Sequence, residues 1–251
     1  MRLTIEFSSN QPIYLPISYN EIIQGFIYAN ITSDELKKFI HDKGYEYNNK
    51  KFKLFTFSRL DGDYSIDLKN KMIIFHNKFT LKISSILPEF INDLMNTLLI
   101  KSNARFGRQK VLVNSVFIES DEIEEKMTVQ TLSPIVVYST ISNGNRKFTY
   151  YYHPKEEDFK NLIKKNLIDK YRARYKDNIN GDFNLKLIKM LSNKEEIVYY
   201  KNFLIKGYNG LFEISGDYNL LKIAYDCGLG SKNAQGFGMI EKVNKVERED
   251  L

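Results

Sequence analysis

One order of elements occurs twice along this chain, and it limits the possible folds more than any other feature. Residues 2–8 (RLTIEFS) alternate as a strand does. Tyr19, Ile22, Ile23, Phe26, Ile27 and Asn30 then recur at the i, i+3, i+4, i+7 spacing of one buried helix face, introduced by Pro16 and Ser18. Ser33 reads as the N-cap of a second helix, with Asp34 and Glu35 in its first turn and Gly44 closing it. Strands follow at 52–58 and 71–84 around a DGD turn at 61–63, then a helix from Pro88 to Lys101 and a strand at 110–119. After the charge run DEIEEK (121–126) the order returns. It comprises a strand at 127–139, where Pro134 calls for an edge or bulge, a long helix at 155–176, strands at 183–191 and 197–215, a short helix at 218–227 and a last strand at 237–243. A β-α-β-β-α-β unit used twice predicts an α+β protein of two tandem ferredoxin-like (RRM-like) domains, 1–122 and 126–251.

Composition narrows the function. The lone cysteine, Cys227, excludes a disulfide framework and a cysteine-rich zinc site. No run reaches the roughly 18 apolar residues of a membrane span, and Arg2 and Glu6 interrupt what would be the core of a signal peptide. A cytoplasmic protein without a membrane partner is expected. The formal charge of +6 leans toward a polyanion, although 31 acidic residues dilute the 37 bases. The same fold underlies RNA-recognition sheets, but their aromatic signature is not evident here, and fold alone does not assign function.

Residues 226–240 (DCGLGSKNAQGFGMI) hold four glycines, Gly228, Gly230, Gly236 and Gly238, around Lys232, Asn233 and Gln235. Glycine-dense backbone can present successive N–H groups to an anion, and Lys232 would add a full charge. The loop follows a helix and precedes a strand, the reverse of a P-loop or dinucleotide fingerprint, which removes the nucleotide-triphosphate reading. A tight helix-to-strand turn would use two or three glycines for geometry alone; the second pair, GFG, is what such a turn leaves unexplained.

Of three histidines, His76 lies mid-strand, where a half-buried structural role fits, and His153 precedes Pro154 in a solvent-facing connection. His41 lies on the charged side of the second helix with Lys37 and Lys38, opposite Leu36, Phe39 and Ile40. Such a histidine is ordinarily surface. Tyr28 is displaced from its helix's apolar stripe, over Gln24, and Lys53 opens the strand reached from His41 through GYEYNNKK. No histidine pair has metal-ligand spacing, Asp61 and Asp63 read as turn chemistry, and Cys227 has no histidine near it in sequence. The basic end of the long helix (Lys170, Arg172, Arg174, Lys176) suits the helix dipole and reads as structural. An enzyme built from these residues is left with metal-free acid–base chemistry and no cofactor.

Taken together, GLGSKNAQGFG (228–238), LPISYNEIIQGFIYANI (15–31) and FIHDKGYEYNNKKFKLFTFS (39–58) resemble the CRISPR-associated endoribonucleases that cut the repeat within precursor CRISPR RNA. LSPIVVYS (132–139) is similar to a further recurrent segment. The resemblance spans nearly the whole chain. It implies tandem ferredoxin-like domains, metal-independent cleavage by the RNA's 2′-hydroxyl, a 2′,3′-cyclic phosphate product and a role in antiviral defence. It also implies a catalytic trio of Tyr28, His41 and Lys53, with repeat RNA held at Gly228, Gly230, Lys232, Asn233, Gln235, Gly236 and Gly238. Arg105, Arg108 and Lys110 are further candidate RNA contacts. Other effector subunits are candidate partners, as a monomer or homodimer. The alternative is a non-catalytic RNA-binding subunit of a CRISPR effector complex.

Overall fold

The structure is a computed structural model that describes residues 1–144 and 146–243. From the N-terminus the chain forms β1 (Arg2–Ser8), β2 (Ile13–Pro16), α1 (Asn20–Ala29), α2 (Asp34–Lys38), one π-helical turn (Phe39–Lys43), β3 (Tyr45–Tyr47), β4 (Lys50–Phe52), β5 (Phe55–Phe57), β6 (Asp61–Asp67), β7 (Met72–Ser85), α3 (Pro88–Lys101), β8 (Asn103–Phe106) and β9 (Gln109–Glu119). It continues through β10 (Lys126–Thr131), β11 (Tyr138–Asn143), β12 (Arg146–Tyr151), α4 (Glu157–Tyr175), β13 (Phe183–Met190), β14 (Glu196–Tyr200), β15 (Phe203–Gly207), β16 (Gly210–Gly216), α5 (Tyr218–Cys227), a short 3-10 turn (Asn233–Gln235) and β17 (Ile240–Lys242).

In the first sheet β1 lies antiparallel between β7 and β9, with β2, β5 and β6 on the far side of β7 and β8 beyond β9. The second sheet runs β13-β16-β10-β17. Each unit therefore has its first and third long strands at the centre, and the fold is two ferredoxin-like domains in tandem. Alternation along β1 sends Leu3, Ile5 and Phe7 into the core, where Phe7 meets Phe26 of α1 at 5.6 Å and Phe106 at 5.0 Å between ring centroids. In the second unit Phe159, Ile163 and Leu167 recur at every fourth position of α4 and are fully buried. Burial of each such side chain is worth roughly 1.5–3 kcal/mol.

The two cores are continuous. Arg2 is 2% exposed, lies 4.3 Å over the Tyr225 ring and donates to the Ile240 carbonyl. Thr56 of β5 donates to the Phe237 carbonyl at 3.0 Å.

Several expected elements are cut differently. The strand expected at 52–58 breaks at Lys53 and Leu54, because Leu54 takes φ 55°. The DGD at 61–63 opens β6 instead of making a turn: Gly62 lies so close to β7 that a Cβ would fall 2.7 Å from the Lys78 carbonyl oxygen. The strand expected at 127–139 stops at Thr131, short of Pro134. The one expected at 197–215 is a hairpin, β14–β15, followed by β16. The strand expected at 237–243 is confined to Ile240–Lys242, and β8 and the β11–β12 hairpin have no counterpart in the expected order.

Candidate active site

Ser33 caps α2 by accepting the Leu36 N–H at 3.3 Å. The helix does not end at Gly44 in the ordinary way. Its last turn widens, with the Gly44 N–H donating to the Phe39 carbonyl five residues back at 2.7 Å and Gly44 at φ 69°. Single π turns of this kind recur at functional sites, since they re-aim a side chain that an α-helix would point elsewhere. Here the turn carries His41, and Phe39 anchors it against Tyr45 at 4.9 Å.

Tyr28, His41 and Lys53 come together. The Tyr28 and His41 rings meet edge to face at 5.2 Å, and Tyr28 also packs against Phe55 at 6.1 Å. The Lys53 ammonium donates to the His41 carbonyl at 2.6 Å. The break in the strand at Lys53–Leu54 lies beside this contact. The His41 side chain is 62% exposed, so the imidazole faces solvent. Burial pushes the Tyr28 hydroxyl up to about 12, which keeps it protonated and able to donate at neutral pH. Burial lowers the Lys53 ammonium, with the Asp42 carboxylate opposing.

Asp42 is the member of the cluster that sequence reasoning missed. Its Oδ1 is 2.6 Å from His41 Nδ1, and this hydrogen bond holds its carboxyl below the usual range. A carboxylate there favours the Nδ1–H tautomer and leaves Nε2 as the atom that exchanges protons. Neighbouring residues on an α-helix do not face each other, so helical spacing gave no signal for the pair; the widened turn is what differs.

The glycine loop forms the opposite wall of a cleft of about 510 Å3 that Tyr28, Lys53, Lys232, Asn233 and Gln235 all line. Gly228, Gly230, Gly236 and Gly238 are buried and all have φ between 67° and 82°. A Cβ at Gly238 would fall 2.0 Å from the Leu229 carbonyl oxygen, and one at Gly236 would fall 2.3 Å from the Phe57 ring. The amides of Leu229, Ser231, Gln235, Gly236 and Gly238 donate to carbonyls within the protein. Those amides are therefore not free to cradle an anion. The side chains of Lys232, Asn233 and Gln235 line the cleft and are half-buried. Lys232 sits 5.2 Å over the Tyr138 ring, and burial lowers its ammonium. Asn233 is turned inward, donating to Leu229 and Phe237 carbonyls at 3.0 Å each. Asn20 and Gln24 of α1 donate to loop carbonyls at Gln235, Gly236 and Ala234, which fixes the wall to the helix bearing Tyr28.

Beneath the loop Lys170 of α4 is 2% exposed and donates to the Gly228 carbonyl at 2.6 Å and the Gly230 carbonyl at 3.3 Å. Burial lowers it to about 8. The other bases at that helix end are likewise engaged within the protein: Arg172 with the Tyr47 hydroxyl, Arg174 over Tyr45, and Lys176 with the Glu46 carbonyl. They brace the β3–β4 hairpin next to the π turn. Burial pushes Cys227 up to about 12, which keeps it a thiol. His76 is half-buried against Ser65, and His153 is half-buried rather than solvent-facing, packed on Tyr208 at 4.8 Å. Among the described residues no group of three His, Cys, Asp or Glu side chains converges as a metal site would require, and no helix is long and apolar enough to cross a membrane.

This fold and cluster define a class of tandem ferredoxin-like proteins in which a phenol and an ammonium line one cleft and an exposed imidazole packs on the phenol. The particular family follows from comparison. A family model described as CRISPR-associated protein Cas6, N-terminal, matches residues 14–117, and one described as CRISPR associated protein Cas6, C-terminal, matches residues 118–242. The chain belongs to the Cas6 family. It is 29% identical to CRISPR-associated endoribonuclease Cas6 1 of Methanocaldococcus jannaschii, over 100% of this chain and 96% of that protein. It is 28% identical to CRISPR-associated endoribonuclease Cas6 of Pyrococcus furiosus, over 94% and 86%. A solved structure of a Cas6-related gene product from Pyrococcus furiosus superposes with a TM-score of 0.84 at 25% identity, covering 98% of this chain and 99% of that one.

Proposed function

We propose that this protein is a metal-independent endoribonuclease that cuts within CRISPR repeat RNA to release mature CRISPR RNA. In this reading the N-terminal domain (1–122) carries out the chemistry and the C-terminal domain (126–251) supplies the RNA-binding loop. The observation that carries it is the meeting of Tyr28, an exposed His41 and Lys53, three residues separate in sequence, of which Tyr28 and Lys53 line a lysine-rich cleft. Relatives named as CRISPR-associated endoribonucleases, matching over nearly the whole chain, support the same reading.

RNA brings its own nucleophile. The 2′-oxygen attacks the adjacent phosphorus as the bond to the 5′-oxygen breaks; one proton leaves the 2′-hydroxyl and one is delivered to the leaving oxygen. The products are a 2′,3′-cyclic phosphate and a 5′-hydroxyl, and the proton count balances. His41 is the group that exchanges a proton, through Nε2. Lys53 offsets the negative charge that develops on the phosphorane oxygens. Tyr28 donates from a hydroxyl that stays protonated. Asp42 orients the imidazole.

The test is incubation with a cognate repeat RNA in excess chelator. Specific scission that disappears when the 2′-hydroxyl upstream of the cut is replaced by hydrogen is the expected result. Binding without scission would overturn the reading in favour of a non-catalytic RNA-binding subunit.

A further inference from the structure

A second concavity lies away from the cleft. It has a volume of about 650 Å3 and is walled by the β1–β2 connection and the β8–β9 hairpin; small-molecule sites span roughly 300–1,000 Å3. It shares no lining residue with the first. In the N-terminal sheet β5, which flanks the cleft, is separated from β8 by β7, β1 and β9. That is four inter-strand steps, roughly 19 Å at the usual spacing.

Its chemistry is one-sided. Arg105 and Lys110 face each other directly across the β8–β9 ladder, both are exposed, and both line the concavity. Neither side chain has a hydrogen-bond or ion-pair partner among the described residues, and no acidic residue lines the site. Like charges placed directly opposite in a ladder destabilise it, so the fold gains nothing from this pair. Asn10, Gln11 and Asn103 add side-chain amides at the rim, and the exposed Leu112 adds an apolar patch. Two unneutralised cations suit phosphate oxygens, amides suit base edges, and an apolar surface suits a base face. A single-stranded nucleic acid displays all three together.

We propose that this concavity is a second RNA site, which grips the precursor strand by its phosphates outside the segment held in the cleft. The proposal rests on the endoribonuclease reading for the identity of the polyanion. It assigns Arg105 and Lys110 to affinity and leaves the acid–base cluster untouched.

The experiment uses the full chain and a repeat-containing precursor RNA. Binding is titrated against salt for wild type, Arg105→Gln/Lys110→Gln, and a control of equal charge loss at the β6–β7 turn, Lys69→Gln/Lys71→Gln. The log–log slope of the first variant should be shallower by about 1.4, since each phosphate contact on a single strand contributes about 0.7. Its single-turnover rate at saturating protein should be unchanged, and its unfolding midpoint should equal or exceed that of wild type. The control should keep the wild-type slope. An unaltered slope in Arg105→Gln/Lys110→Gln would overturn the proposal and leave the face to an acidic protein surface. An equal change in the control would overturn it as a net-charge effect, and a lowered midpoint would show the pair to be structural. If wild type binds and cuts while the variant keeps its slope, only this site fails. If wild type neither binds nor cuts, the activity reading fails and this one with it.

Discussion

The π turn at Phe39–Lys43 leaves the His41 side chain 62% exposed, held through backbone and edge contacts. The glycine loop, which lines the cleft with Tyr28 and Lys53, buries all four glycines and donates five amides to carbonyls within the protein. One region is a frame from which a reactive group projects; the other is a rigid insert whose contacts outward fall to a few side chains. The contrast teaches that the two regions should fail differently. A change at the histidine should remove chemistry and leave binding, whereas a change at a glycine should remove both, through the fold.

The comparison is most directly broken at the histidine. His41→Ala should slow single-turnover cleavage by roughly 10²- to 10⁴-fold, the range for one proton-transfer group, with RNA affinity almost unmoved. Full cleavage by the pure variant would remove His41 from the chemistry. Gly238→Ala comes next. A Cβ 2.0 Å from the Leu229 carbonyl oxygen, on backbone at φ 76°, should cost about 3 kcal/mol in chemical unfolding and depress binding and cleavage together. Cleavage lost with stability intact would mean that the loop acts through its backbone directly on RNA.

Asp42→Asn sharpens the histidine side. It should lower the rate about tenfold, far less than the 10⁴ seen for a buried triad carboxylate, and should alter the pH–rate profile while unfolding stays the same. A unchanged profile would reduce Asp42 to a surface neighbour. The smallest effect belongs to the loop's cleft-lining lysine: Lys232→Met should flatten the salt dependence of RNA binding by about 0.7 in log–log slope without changing the single-turnover rate. An unaltered slope would place Lys232 off the phosphates.

Much of this architecture was legible because long elements repeat a period. The α3 boundaries, Pro88–Lys101, and those of α5, Tyr218–Cys227, follow from apolar spacing and end signals. What escaped is non-periodic. Nothing in KKFKLFTF announces that Leu54 takes φ 55° and interrupts the strand next to Lys53. Nothing in FIHDK announces a turn of five residues, so the His41–Asp42 pair was invisible. The glycines are recognisable as a unit, but sequence suggests open amides, whereas Pro134 and Val136, about 100 residues upstream, occupy two of them and the loop's own carbonyls occupy three. Long-range pairing of that kind leaves no mark on local spacing.

The lysine lodged under the loop has a consequence for alkaline conditions. Lys170 titrates near 8 in the folded protein and at 10.5 when free of its burial. Between those values the unfolded chain retains a proton that the native one releases, so this group makes stability rise with pH, by up to about 3 kcal/mol across the window. Below about 8 the full penalty of an interior cation is present, and at neutral pH it is the ammonium that clasps the Gly228 and Gly230 carbonyls. Lys170→Met should erase that pH-dependent rise in unfolding free energy. The increment that this one group adds to stability is therefore largest where it tethers the loop least, so ligand grip and the Lys170 contribution should move in opposite directions with pH.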